Sequence, residues 1–442
     1  MELKVIDLKA YLAVMDKLDG EPSKITEELG PELTRLCKEV ARSLREAGAV
    51  VVRDPRCSEE ENEKFIEMME RYYESPVEYK RPQERPDFHY QLFLVAVVVT
   101  VIVTEMELKV IDLKAYLAVM DKLDGEPSKI TEELGPELTR LCKEVARSLR
   151  EAGAVVVRDP RCSEEENEKF MEMMERYYES PVEYKRPQER PDFHYQVGIT
   201  PEKVEIPRLM VDEEMQEKVK ALPKESQPAT LVGSDLKWRY MWSVGPRPAK
   251  TRFKELNGAP VIPENFPGWT ETMNSWGSKM IAAVEAPHVL GPTGSDLKSY
   301  GQEGTVLAGY HYDVNFLTIH GRSKFPALNI WVENGQKVEG SVPEGCLLVQ
   351  TGKQMEYLTG GDCMAGMHEV VVTEKTTEAI KQALEQNRSL WRVSSTVFAH
   401  IASDAVLKPL GHFAESPLAS NYPPMYAGEV IKQELSAMNL KG

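Results

Sequence analysis

"TVLAGYHYD" (Thr305–Asp313) reads as a β-strand that carries two polar side chains to one side of the chain. Residues two apart in a strand point the same way, so the His311 imidazole and the Asp313 carboxylate converge. Further short apolar runs surround it: "LNIWV", "GCLLVQTG", "HEVVVTE" and "WRVSSTVFAHI". Turn residues separate them, notably Gly321, Asn334-Gly335 and Gly360-Gly361. Several short strands at this spacing predict a β-sandwich or jelly roll. Glu374 to Ser389, between the last two runs, reads as an inserted helix.

Upstream the pattern is helical. Pro136 opens a helix at its first turn, where proline is tolerated. Leu138, Leu141, Cys142, Val145 and Leu149 share one face of it, and Gly153 ends it. "AVVVRDP" follows as a buried strand. Ser163 with Glu166 makes a capping box for the next helix, whose apolar face is Phe170, Met173, Met174 and Tyr177. "LKVIDLKAYL" (Leu108–Leu117) reads as a short strand entering a loop. In "LKWRYMWSVG" (Leu236–Gly245), Trp238, Tyr240 and Trp242 share one strand face, which is either a pocket wall or ordinary packing. Met273, Trp276, Met280 and Val284 mark another amphipathic helix, cut off at Ala286-Pro287. The class is therefore α+β, with a helical N-terminal region ahead of a jelly-roll (double-stranded β-helix) core.

The N-terminal segment is present twice. Residues 1–91 and 106–196 can be laid over each other and differ only at Ile66 against Met171. Two long copies are a tandem duplication rather than a solenoid, which needs about three or more short units. The apolar run Leu92–Thr104 between them is shorter than the roughly 20 residues of a spanning helix. Its Val, Ile and Thr content favours strands. It reads as a translated spacer. Only the second copy runs on into the strand block, so Met106 to Gly442 is the expected functional unit.

The formal net charge of the 442 residues is -17, with no clustered Lys and Arg. Sequence-independent nucleic-acid binding needs such clusters, so no nucleic acid is expected. The six cysteines (Cys37, Cys57, Cys142, Cys162, Cys346, Cys363) include no CxxC pair and read as free thiols of a cytoplasmic protein. Met1-Glu2-Leu3-Lys4 opens without a secretory signal, and no membrane association is expected.

His368, in "AGMHEVVV", supplies a third ligand type at the start of a later strand. Two His and one carboxylate form the facial triad of non-haem Fe(II) sites, which leaves positions open for co-substrates. "RVS" places Arg392 and Ser394 on one strand face, and a guanidinium fork with a hydroxyl suits a carboxylate. Of the other histidines, His194 and its copy His89 read as loop residues. His320 is expected at a turn, and His400 on the strand face of Arg392 and Ser394.

HxD, a distant His and RxS, after "VIDLKAYL", "CKEVARSLREAGAVVV" and "CSEEENEKF", resemble the 2-oxoglutarate and Fe(II)-dependent dioxygenases of the isopenicillin N synthase-like class. The resemblance covers Met106 to about His412 and looks closest to a plant branch of unassigned substrate. It implies that His311, Asp313 and His368 hold Fe(II), and that Arg392 and Ser394 hold the C5 carboxylate of 2-oxoglutarate. It further implies O2 as co-substrate, and hydroxylation or desaturation of a small-molecule substrate with release of succinate and CO2. Departures are a wider separation of His368 from Arg392, "LGPTGSDLKSYG" in place of the family's NxYP strand, and a shortened segment after Ala286.

The expected layout is a surplus copy (1–91), a spacer (92–105), an N-terminal oxygenase region (106–286), a catalytic jelly roll (287–412) and a tail (413–442). Alternatives are an Fe(II) oxidase of the same fold that does not use 2-oxoglutarate, a non-catalytic protein that keeps the triad, and a membrane-tethered protein. Oligomeric state is not legible.

Overall fold

The computed structural model describes residues 5–7, 51–53, 108, 110–122, 136–230, 233–245, 247–248, 250–282, 288–438 and 440. The chain forms two compact units, Met1–Glu107 and Leu108–Gly442. In the first, β1 (Val5–Asp7) pairs in parallel with β2 (Val51–Arg53), Val5 opposite Val51. The apolar run Leu92–Thr104 lies outside the described residues. The second copy repeats the pairing. There β3 (Val110–Asp112) runs parallel to β4 (Ala154–Arg158), with Val110 opposite Val156 and Ile111 opposite Val157. No described helix is long and apolar enough to cross a membrane.

In the second unit, the stretch after β3 is not a loop but helix α1 (Lys114–Lys122). The Asp112 carboxylate accepts the Lys114 N–H at 2.9 Å and so caps its start. Helix α2 (Pro136–Ala152) ends where Gly153 turns left-handed at φ +59°, and a Cβ there would meet the Gly366 Cα at 2.8 Å. Helix α3 (Glu164–Glu179) starts at Ser163, whose hydroxyl accepts the Glu166 N–H. The capping box is half made, because the Glu166 carboxylate takes the Ser163 hydroxyl and Lys279 instead of the cap N–H. Phe170, Met173, Met174 and Tyr177 are buried as the spacing predicts.

The longer helices that follow are α4 (Glu213–Ala221), α5 (Trp269–Ile281), α6 (Lys353–Leu358), α7 (Glu374–Glu385) and α8 (Ala427–Ala437). Helix α5 buries Trp269, Met273, Trp276 and Met280 against the core. None of the exposed large apolar side chains among the described residues lies on it. Val284 and the Ala286-Pro287 junction fall outside the described residues.

The larger sheet has ten strands. It adds to β3 and β4 the strands β5 (Gly198–Thr200), β6 (Trp238–Val244), β7 (His288–Leu290), β8 (Thr293–Asp296), β10 (Leu317–His320), β13 (Cys346–Thr351), β15 (Trp391–Ser394) and β16 (Thr396–Ala399). Its order is β15-β8-β6-β7-β16-β10-β13-β4-β3, with β5 on β6. The smaller sheet is β12-β11-β14-β9, from β9 (Val306–His311), β11 (Leu328–Trp331), β12 (Lys337–Glu339) and β14 (Met367–Val371). A two-stranded ribbon, β17 (Val406–Leu407) with β18 (Met425–Tyr426), precedes α8.

"WRVSSTVFAHI" is two strands rather than one. It changes partners at Ser395, from β8 on one side to β10 and β7 on the other. The Ser395 carbonyl accepts the Gly321 N–H at 2.7 Å, and its hydroxyl meets Trp276 Nε1, which fixes the break. Strand β6 settles the aromatic alternative. Trp238, Tyr240 and Trp242 pack into the core, Tyr240 edge-on to Trp269 with centroids 4.7 Å apart. They are packing and not pocket wall.

Candidate active site

Both sheets line one cavity of about 330 Å³. His311 ends β9, and His368 lies directly across from it on β14. Asp313 follows two residues later, just beyond the strand, where the chain crosses to β10. One donor atom from each of the three lies within 4.8 Å of the others. Asp313 Oδ1 is 3.8 Å from His311 Nε2, and Asp313 Oδ2 is 3.7 Å from His368 Nε2. Donors sharing one ion at roughly 2.1 Å each stand no more than roughly 4.2 Å apart, and both His–Asp pairs fall inside that limit.

The surrounding bonds prepare these donors. His311 Nδ1 lies 2.6 Å from the Gly309 carbonyl, and His368 Nδ1 lies 3.3 Å from the Gly366 carbonyl. Each contact places the proton on Nδ1 and leaves the Nε2 lone pair for a metal. Burial lowers the pKa of His311, and burial beside His311 lowers that of His368 to about 4. Burial pushes the Asp313 carboxyl up, but the two imidazoles and the Thr318 hydroxyl outweigh it and hold the group at about 2. Thr318 donates to Asp313 Oδ2 at 2.6 Å. Two neutral imidazoles and an ionised carboxylate are the protonation states that a divalent cation requires.

Arg392 and Ser394 lie on β15 in the wall of the same cavity. Arg392 is buried, and its Nε donates to the Phe325 carbonyl at 3.1 Å. No acidic side chain among the described residues pairs with it, and burial alone lowers its pKa to about 10. A buried cation without an anion is costly, so the position is built for an anionic ligand. Beside it the Ser394 hydroxyl lies 2.7 Å from Thr293 Oγ1 and 3.2 Å from Thr396 Oγ1.

Two histidines stand elsewhere than the sequence predicts. His320 is not in a turn but ends β10, with its side chain in the cavity wall. Its ring centroid is 6.0 Å from that of His368, and burial followed by the His368 charge lowers its pKa to about 4. The alternation of β10 carried the signal, since Thr318 and His320 share a face. His400 follows β16, across the Ser395 break from Arg392 and Ser394, yet also reaches the cavity wall.

The third miss is α8, which falls in the expected tail. Ile431 and Leu435 line the cavity from it, and Met438 does so just after its end. Arg208 pairs with Glu434 of this helix, and the hydroxyl of Tyr312, a lining residue, donates to Glu434 at 3.3 Å. No local pattern in the sequence marks this contact.

No family model matches the chain, and no curated protein does. Solved structures do match. A 2OG-Fe(II) oxygenase family protein from Caulobacter crescentus superposes with a TM-score of 0.52 at 19% identity, over 74% of this chain and 98% of that one. A full-length Neurospora crassa protein solved in complex with alpha-KG gives 0.52 at 15% identity, over 76% and 98%. The same protein with alpha-KG and thymine gives 0.52 at 17% identity, again over 76% and 98%. The chain shares the fold of these proteins.

Proposed function

We propose that the Leu108–Gly442 unit is an Fe(II)- and 2-oxoglutarate-dependent oxygenase of a small organic molecule. In the balanced reaction, substrate C–H, O2 and 2-oxoglutarate give substrate C–OH, succinate and CO2. Desaturation is the variant in which the substrate loses two hydrogens from adjacent carbons, so that an alkene and water stand in place of the alcohol. The observation that carries the reading is the pairing, in one cavity, of a metal-competent His–Asp–His set with a buried guanidinium that has no carboxylate partner among the described residues.

His311, Asp313 and His368 would hold Fe(II), and Arg392 with Ser394 would hold the distal carboxylate of 2-oxoglutarate. The bound metal supplies the activation of O2. The chain's own residues do the rest. The Gly309 and Gly366 carbonyls orient the imidazoles, and Thr318 fixes Asp313. Apolar side chains such as Leu328, Val370, Phe398 and Ile431 wall the cavity and limit water. In this reading the two sheets are the halves of a jelly roll, and the first N-terminal copy is surplus to it.

Anaerobic titration of Fe(II) and 2-oxoglutarate into the full chain tests the reading through the weak visible charge-transfer band of the chelate. A saturable band is expected, absent in His311→Ala and weakened in Arg392→Ala. Metal binding without a 2-oxoglutarate-dependent band would favour an oxidase of the same fold. Absence of metal binding would leave a non-catalytic protein.

A further inference from the structure

Strand β6 presents its second face to the cavity. Arg239 and Met241 line it, with Lys237 just before the strand. These three alternate with the core residues Trp238, Tyr240 and Trp242. Five cations stand in the cavity wall: Lys237, Arg239, Arg322, Lys324 and Arg392. Arg322 pairs with Glu164 at 2.9 Å and Lys324 with Glu175 at 3.1 Å. Lys237 is spanned by Asp235 and by Glu205, the latter at 3.4 Å. Arg392 is accounted for by the co-substrate.

Arg239 differs from the rest. Its Nη1 donates to Glu205 at 3.1 Å, which anchors the guanidinium. Its Nε and Nη2 are buried and have no hydrogen-bond partner among the described residues. The residue is only 9% exposed, so these donors are largely withdrawn from bulk water, and it stands in the cavity wall. Nε and one Nη form the side edge of the guanidinium, two parallel N–H groups spaced to match the two oxygens of a carboxylate. Buried unsatisfied donors are costly, and a pair on one edge is a prepared acceptor site. Met241, Leu435 and Met438 supply apolar surface in the same cavity.

We propose that the substrate is a small molecule with an apolar body and a carboxylate, and that Arg239 binds this carboxylate through Nε and Nη2. The proposal rests on the oxygenase reading for the word substrate, while the anion site itself does not. Arg392 holds one carboxylate, that of the co-substrate, and Arg239 holds another on a different strand. Arg239 is thus the specificity-determining residue, selecting acids over their neutral analogues.

The test uses the full chain with Fe(II) and saturating 2-oxoglutarate under anaerobic conditions. Probes are acetate, butyrate, phenylacetate and 4-phenylbutyrate, each beside its primary amide, with binding read by calorimetry. At least one acid is expected to bind roughly tenfold or more tighter than its amide. That preference should vanish in Arg239→Gln and shrink in Arg239→Lys, which keeps the Glu205 ion pair but lacks the fork. The chelate band should persist in both variants, which also reports that they are folded. No acid preference in the wild type, or a preference surviving in Arg239→Gln, overturns the proposal. An Arg239-dependent preference in a protein that forms no chelate band would uphold the anion site and remove the oxygenase reading instead.

Discussion

His311 and His368 are cross-strand partners on β9 and β14, and their ring centroids stand 4.2 Å apart. Antiparallel register puts the two imidazoles on one face of the smaller sheet. The turn into β10 then swings Asp313 against both. The candidate metal site arises from one strand pair and the two residues after it, so its integrity depends on the register of that pair.

Thr318 tunes the carboxylate from the other sheet. Thr318→Val removes the 2.6 Å donor to Asp313 Oδ2 and keeps the shape of the side chain. Fe(II) affinity is expected to fall about tenfold, and Thr318→Ser to recover most of it. Metal titration of the three proteins checks this; equal affinities would mean that Asp313 is held by its backbone alone.

Stability of the metal-free protein should fall with acid. His368 and His320 are lowered from 6.5 to about 4, and His311 is lowered too. The unfolded chain therefore takes up protons first. The contribution from neutral imidazoles is present above about 6.5 and is lost as pH falls toward about 4. Asp313, lowered from 3.8 to about 2, extends the loss in the same direction across that lower window. The urea midpoint should be lower at pH 5.0 than at pH 7.5, and saturating metal should narrow the difference by occupying the neutral donors.

Arg392 offers a double readout. Arg392→Met removes a buried cation that has no acidic partner among the described residues. In the ligand-free protein this should be neutral or stabilising, because an unpaired buried charge is replaced by apolar volume. The same change should raise the Kd of 2-oxoglutarate about 10- to 100-fold with Fe(II) affinity kept. Melts with and without 2-oxoglutarate separate the two effects; a marked loss of ligand-free stability would mean that the guanidinium is chiefly structural.

Helix α8 is tied to the cavity by Glu434, through Arg208 and Tyr312. Glu434→Ala should cost about 1–3 kcal/mol. Hydrogen exchange across Ala427–Ala437 should speed up more than exchange in β9 or β14. Uniform acceleration would show that the helix unfolds only with the whole unit.

The candidate residues and most of the local elements were legible in the sequence. Strand alternation puts Arg392 and Ser394 on one face, whereas Asp313 lies beyond the end of β9 and meets His311 through the turn. The starts of α2 and α3 and the helix after Glu374 were legible because caps, proline and helical spacing are local signals. The duplication needed only the letters.

Tertiary structure decided what each face meets. Alternation grouped Trp238, Tyr240 and Trp242, but only packing against α5 sent that face to the core and left Arg239 in the cavity. Ser395 breaks a continuous apolar run because its partners lie on strands distant in sequence. His320 and α8 enter the site through the same kind of contact. A side chain's period is set by its own backbone, whereas its neighbour is set by the burial of the whole unit, which no short stretch encodes.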